Sequence, residues 1–270
     1  MPWLSAGGQS RDIDLVVFDK DGTLVDFDRL WAGKLIAAIR AVTRAMADDS
    51  ARQALEQALC ATLGIDPAAM RVIPESPLAV ATLPKLTLAC AVVLHQQGQP
   101  WHAAETLARE RFQPVIEQPP QPEDLAPIGD LVQLMTALTE AGCRIAIFTS
   151  DDRRATEVSL PLLGIDGVVS DMVCGDDAVP GKPSGEGLLH LSRALGVDPS
   201  RMLMIGDSVT DMRAAEAAGV GWRIAVTSGT GEPAALASAA DTVVPTIHAL
   251  GAAASVRHQP EAGVGRPVAI

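Results

Sequence analysis

An α/β fold built on a parallel sheet is the architecture this chain predicts, on three observations. Short, nearly unbroken apolar runs each end abruptly in polar residues; helical patterns of 8–14 residues separate the later ones; and one long helical stretch interrupts the alternation. Continuous apolar runs fit central strands covered on both faces. Strands alternating with helices indicate βαβ units and hence a doubly wound parallel sheet.

The first run, Ile13 to Phe18 (IDLVVF), leads directly into Asp19-Lys20-Asp21-Gly22-Thr23. The same grammar recurs at Arg144 to Phe148 before Thr149-Ser150-Asp151-Asp152, at Met202 to Ile205 before Gly206-Asp207-Ser208, and at Trp222 to Val226 before Thr227-Ser228-Gly229. Asp241 to Val244 offers a further strand. Helices are expected over Ile128–Ala141, Arg154–Leu163, Glu186–Leu195, Asp211–Ala218 and Glu232–Ala239. From Asp26 to Pro127 the chain is Ala-, Leu- and Gln-rich and lacks strand grammar, with helices expected over Leu30–Met46 and Ser50–Leu63. Prolines 114, 119, 120, 122 and 127 forbid a continuous helix and suit a semi-rigid return linker. The expected organisation is therefore an α/β core from 11–25 and 128–250, a helical cap over 26–127 hinged near Val25 and Pro127, and a flexible tail over 251–270. The stretch before Arg11 shows no periodicity and is expected to be mobile as well.

The 270 residues suit one large domain or a core with a smaller partner. A formal charge of −12 disfavours nucleic acid or an anionic membrane as a partner. No apolar run of membrane-spanning length and no leader pattern is present, so a cytoplasmic protein is expected. Cys60, Cys90, Cys143 and Cys174 form no CxxC pair and read as small core residues of a reducing compartment. With no Tyr, four Phe and four Trp, the core must be packed mainly with aliphatic side chains.

In an open α/β sheet, ligands sit at the carboxyl ends of the strands, where all these polar clusters would converge. Asp19 and Asp21 are two residues apart, and carboxylates that close raise each other's proton affinity unless a cation is near. Asp207 and Asp211 lie one helical turn apart if a helix begins near Ser208. Mg²⁺ takes one or two carboxylates plus a substrate phosphate, and Asp19 with Asp207 would supply them. Lys182, kept out of helical conformation by Pro183, can neutralise carboxylates and a phosphoryl oxygen. Thr149 and Ser150 add hydroxyl and N–H donors where a helix starts, a favourable place for an anion. Together these parts describe phosphoryl transfer through an aspartyl phosphate.

The ordered set FDKDGTLVD (Phe18–Asp26), FTS (Phe148–Ser150), GKP (Gly181–Pro183) and MIGDSVTDM (Met204–Met212) resembles the haloacid dehalogenase (HAD) superfamily in its phosphoglycolate-phosphatase-like branch, over Ile13 to about Val244. The resemblance implies a Rossmann-like core with a helical cap and a Mg²⁺-dependent phosphatase acting on a small phosphorylated metabolite, phosphoglycolate-like or a sugar phosphate. It implies Asp19 as nucleophile and Asp21 as general acid/base, Thr149, Ser150 and Lys182 on the phosphate, and Asp19, Asp21 (through its carbonyl), Asp207 and Asp211 around the metal. An acid at position 21 favours ester hydrolysis, because a leaving alkoxide needs a proton. The Lys-Pro-Ser-Gly sequence at Lys182 and the long cap depart from the branch's usual pattern, and both bear on the substrate.

Rival readings are a phosphomutase of the β-phosphoglucomutase type, a phospho-accepting receiver-like protein and a non-catalytic phospho-ligand binding protein; monomer and homodimer both stay open. Phe27, Arg29 and Trp31 are candidates for the pocket wall, with core packing as the other reading of the aromatics. Trp101 and Phe112 read as cap core, His95 and His102 as surface residues, Asp151 and Asp152 as a helix's first turn, and Asp176 and Asp177 as solvated or paired. Lys34 and Lys85 are remote Schiff-base candidates.

Overall fold

The computed structural model describes residues 2–44 and 46–254. Its centre is a parallel sheet whose middle strand, β3 (Leu15–Phe18), is buried on both faces. Strands β6 (Arg144–Phe148) and β8 (Met202–Gly206) flank it, with Phe18 level with Ile147 and Ile205. Beyond them lie β7 (Val169–Val173), β9 (Trp222–Val226) and β10 (Thr242–Val244), in the order β10-β9-β8-β3-β6-β7. Leu15 and Val17 pack toward helices α9 (Glu186–Leu195) and α10 (Val209–Ala218). Val16 and Phe18 face the opposite layer, with Leu134 and Leu138 of α7 (Leu131–Glu140) and Leu160 of α8 (Arg153–Leu162). Helix α11 (Pro233–Ala239) covers the β9–β10 end. Strand side chains alternate between faces, so an unbroken apolar run is what two covered faces require.

Strand β7 has no counterpart among the expected strands. Ser170 and Asp171 break its apolar pattern, which an edge strand with half-exposed side chains tolerates. The segment before Arg11 corrects a second expectation: instead of a mobile end it forms β1 (Pro2–Ala6) and β2 (Gln9–Asp12). Gly7 and Gly8, at φ of 55° and 80°, join them in the kind of two-residue turn that favours a hairpin. Strand β1 buries Leu4 and Ala6 while Trp3 and Ser5 point outward. Residues 251–254 are likewise not tail but strand β11 (Gly251–Ala254), antiparallel to β1. A Gly-Ala-Ala-Ala segment has no periodicity of its own, and the partner strand supplies its register. The remainder of the expected tail, 255–270, lies outside the described residues.

The insertion carries α1 (Phe27–Thr43), capped by Asp26, and α2 (Asp49–Leu63), capped by Asp48 and closed by Gly64 in the left-handed region. Contrary to the all-helical expectation, a two-residue pair follows, β4 (Ile65–Asp66) with β5 (Arg71–Val72). Then come α3 (Pro77–Val80), α4 (Leu83–Gln96), α5 (Trp101–Leu107), a π-helical turn over Ala108–Phe112 and α6 (Gln113–Ile116). Leu35, Leu59, Leu94 and Phe112 form its buried centre, whereas Trp101, expected in that core, is 40% exposed with its ring edge-on to His95. The two crossings between sheet and insertion run side by side. Val25 bridges Pro127, the Asp26 N–H donates to Ala126 O, and Ile128 N–H donates to Leu24 O, both at 2.8 Å. Among the described residues, no helix is long and apolar enough to cross a membrane.

Candidate active site

The in-register ends of β3, β6 and β8 bring residues far apart in sequence to one edge of the sheet. Beyond Phe18 the chain leaves the sheet at Asp19 and turns back, with Lys20 O accepting from the N–H groups of Thr23, Leu24 and Val25 and Gly22 N–H donating to Val25 O. That turn holds Asp19 and Asp21 buried in the crevice rather than on opposite faces of an extended strand.

Two ion-paired groups result. In the first, Lys182 Nζ lies 2.5 Å from Asp19 Oδ1 and 2.6 Å from Asp211 Oδ1, and 5.2 Å from the Phe148 ring centroid. Asp207 completes this group: its Oδ2 accepts from Thr230 N–H at 2.7 Å. Asp211 sits in the first turn of α10, where Ser208 caps the helix and donates its hydroxyl to Asp211 Oδ2 at 2.7 Å. In the second group, Lys20, fully buried, contacts Asp21 and lies 2.9 Å from Asp151 Oδ2. The Trp31 indole of α1 donates to Asp21 Oδ2 at 3.0 Å, so the insertion touches the acidic cluster directly.

Burial raises Asp19 to about 7, with Lys182 pulling it down and the charge of Asp211 pushing it further up. Burial together with the charges of Asp19 and Asp211 raises Asp207 well above the ordinary carboxylate range. Asp21 is raised by burial, against the pull of Lys20 and the Trp31 N–H. Burial works against the ammonium of Lys182, but Asp19 and Asp211 outweigh it and hold that pKa above normal. Such shifts are what burial and near like charges produce, and they cluster at functional sites.

Asp19, Asp207 and Asp211 each present an oxygen within 4.8 Å of the other two. When all three are ionised, these buried carboxylates leave two negative charges against the one ammonium of Lys182. An all-oxygen set of that charge fits a hard divalent cation such as Mg²⁺. The carboxylate of Asp21 is turned to Lys20 and Trp31 and is not part of the triad.

These groups floor a cavity of about 40 Å³. Thr149, Ser150 and Lys182 line it with Asp19, Asp21 and Asp207, and Asp211 pairs with Lys182 beside them. Phe27 and Trp31 line it from the insertion. Arg29 does not: its guanidinium donates to Glu123 O on the return linker. Lys34 stacks on the Trp31 ring, 4.6 Å from the centroid, and does not line the cavity; Lys85 is exposed. Asp152 is the cap of α8, as first-turn placement implies, but Asp151 belongs to the site through Lys20. Asp177 pairs with Arg153 at 2.7 Å.

Sequence reasoning missed Lys20, Asp151, Ser208 and Thr230. A lysine between two acids, buried at the end of an apolar strand, was a signal for Lys20, and Ser208-x-x-Asp211 has the spacing of a reciprocal helix cap. Thr230 had none, because its link to Asp207 spans 23 positions.

Gly22 packs against this machinery at φ +89°, and a Cβ there would stand 2.5 Å from Asp207 Oδ2. Gly22→Ala is therefore expected to destabilise the fold by about 2 kcal/mol, from left-handed strain and displacement of Asp207. Chemical denaturation measures this, and an unchanged midpoint would contradict the close approach.

The chain matches the model of the haloacid dehalogenase-like hydrolase family over residues 13–219. It is 35% identical over 123 residues to a plasmid-encoded phosphoglycolate phosphatase of Cupriavidus necator, covering 43% of this chain and 50% of that one. To an N-acetylmuramic acid 6-phosphate phosphatase of Pseudomonas aeruginosa it is 33% identical over 93 residues, covering 34% and 41%. The chain thus spans half or less of the length of these curated relatives. A crystal structure described as a predicted phosphoglycolate phosphatase from Haemophilus somnus superimposes with a TM-score of 0.63 at 20% identity, over 87% of this chain and 95% of the other, and shares the fold. With more than three quarters of its length inside the family model, the insertion and strands β3 and β6–β8 included, this chain belongs to the haloacid dehalogenase-like hydrolases.

Proposed function

We propose that this protein is a Mg²⁺-dependent phosphatase that hydrolyses a small phosphate monoester through an aspartyl phosphate on Asp19. One observation carries the reading. Asp19 has one oxygen held by Lys182 and the other unpartnered, beside a cavity that Asp21 also lines. A nucleophile held by one oxygen and unpartnered at the other is fixed for in-line attack. Oδ2 of Asp19 attacks phosphorus, the bond to the alcohol oxygen breaks, and Asp21 gives that oxygen its proton. Asp21 then takes a proton from water, which attacks phosphorus, releases inorganic phosphate and restores Asp19. The raised pKa of Asp21 supports the proton-carrying role, and Lys20, Asp151 and Trp31 fix its orientation. Thr149 and Ser150 supply donors to the phosphoryl oxygens, and Lys182 offsets charge on both nucleophile and phosphate. Bound at Asp19, Asp207 and Asp211, Mg²⁺ would offset the charge that gathers on the phosphoryl group.

The named activities of the relatives support a small phosphate ester as substrate. In this reading the insertion, 26–127, is a lid over the crevice, supported by the paired crossings at Val25 and Pro127 and by the Trp31–Asp21 contact. A cytoplasmic location goes with it, supported by four free thiols. Phosphate release from a panel of small phosphate monoesters, with Mg²⁺ and with EDTA, tests the proposal. Metal-dependent release is expected. Conversion of a sugar phosphate to its isomer without free phosphate would overturn it in favour of a mutase.

A further inference from the structure

The cavity has two unlike halves. Its floor is polar, and its ceiling is contributed by the insertion: Phe27 and Trp31 from α1, then Leu78, Ala81, Leu83 and Leu86 from the α3–α4 region. The single nitrogen among these side chains, Trp31 Nε1, is already donated to Asp21. The insertion's nearby cations are not part of the lining. Arg29 binds a main-chain carbonyl, Arg71 pairs with Asp28 at 3.6 Å, and Lys34 stacks on Trp31 outside the lining. Among the described residues, Lys182 is the one cation lining the cavity, and it is held between Asp19 and Asp211.

From this we infer that the site selects phosphate monoesters of small, uncharged, largely apolar alcohols and discriminates against esters whose alcohol bears a carboxylate, in contrast to the acid phosphates for which the similar phosphatases are named. The inference rests on the phosphatase reading and narrows its substrate class. With phosphate on the floor, the alcohol must point into the ceiling. A carboxylate there would leave water with neither a cation nor a side-chain donor to receive it, and an unpaired buried charge is penalised far more heavily than a misplaced methyl group.

The test compares two esters of matched shape, isobutyl phosphate and 2-phosphoglycolate, with acetyl phosphate as a reactive reference, all by phosphate release in Mg²⁺. For the wild-type protein, kcat/KM is expected to favour isobutyl phosphate by about 100-fold. Ala81, half-exposed and outside helical conformation, can be replaced without breaking a helix. Ala81→Arg would place a cation at the ceiling and is expected to shift the ratio toward 2-phosphoglycolate by roughly tenfold or more. Equal or better use of 2-phosphoglycolate by the wild-type protein would overturn the inference and leave the phosphatase reading standing. So would hydrolysis of acetyl phosphate with both esters refused. No release from any of the three would overturn the phosphatase reading and this inference with it.

Discussion

Asp19→Asn is expected to lower kcat by about 10⁴-fold or more, the scale seen when a covalent nucleophile is removed, without lowering thermal stability. The two halves of this expectation have separate causes. An amide cannot form the acyl phosphate, so turnover fails whatever the substrate. Yet the carboxylate it replaces is buried, crowded by Asp211 and pushed up to about 7 by desolvation, so its charged form works against the metal-free fold at neutral pH. The lost pairing with Lys182 is offset by relief of that crowding. Phosphate release and thermal unfolding of the same sample measure both quantities. Retained turnover would sink the nucleophile assignment, and a large fall in melting temperature would mean that Asp19 is chiefly structural.

Lys182→Met is expected to do the opposite to stability while also abolishing activity. It strips the one ammonium from three buried carboxylates, and breaking a buried pair by removing one partner typically costs about 3–5 kcal/mol. The loss should depend on pH with a definite sign. Asp19 and Asp207 have folded pKa values above their unfolded ones, so the native state binds protons that the unfolded chain does not. Stability contributed this way is greatest below the folded pKa and falls as pH rises through it. The variant should therefore recover stability when the pH is lowered from about 8 toward 6, and Mg²⁺ should restore part of it at the higher pH. Denaturant midpoints at two pH values, with and without Mg²⁺, provide the check. A variant as stable as wild type at pH 8 without metal would show that Lys182 does not balance the triad.

What could be read from residue order follows the range of the interactions. The strands at Arg144–Phe148 and Trp222–Val226 and the helix at Glu186–Leu195 have the bounds expected of them, because burial on both faces of a strand or on one side of a helix imprints a local apolar period. Strand β7 escaped because its edge position relaxes that requirement, and β11 because its partner β1 carries the register. The hairpin before it was legible in Gly7-Gly8, a turn signal that composition near a chain end obscured.

The sequence by itself determined the alternating α/β framework, the helical character of the insertion and the acids, hydroxyls and lysine that end the strands, since each is written in a window of a few residues. Only the tertiary structure decided how those groups divide. The adjacency of β6 and β3 brings Asp151 to Lys20, and the loop that follows the neighbouring β7 brings Lys182 to Asp19, across 131 and 163 positions. Folding of the insertion sets an apolar ceiling over a charged floor. The physical reason is that a carboxylate's partner, proton affinity and free oxygen depend on which buried atoms lie within a few ångströms, and that proximity is created by sheet order and domain packing rather than by spacing along the chain.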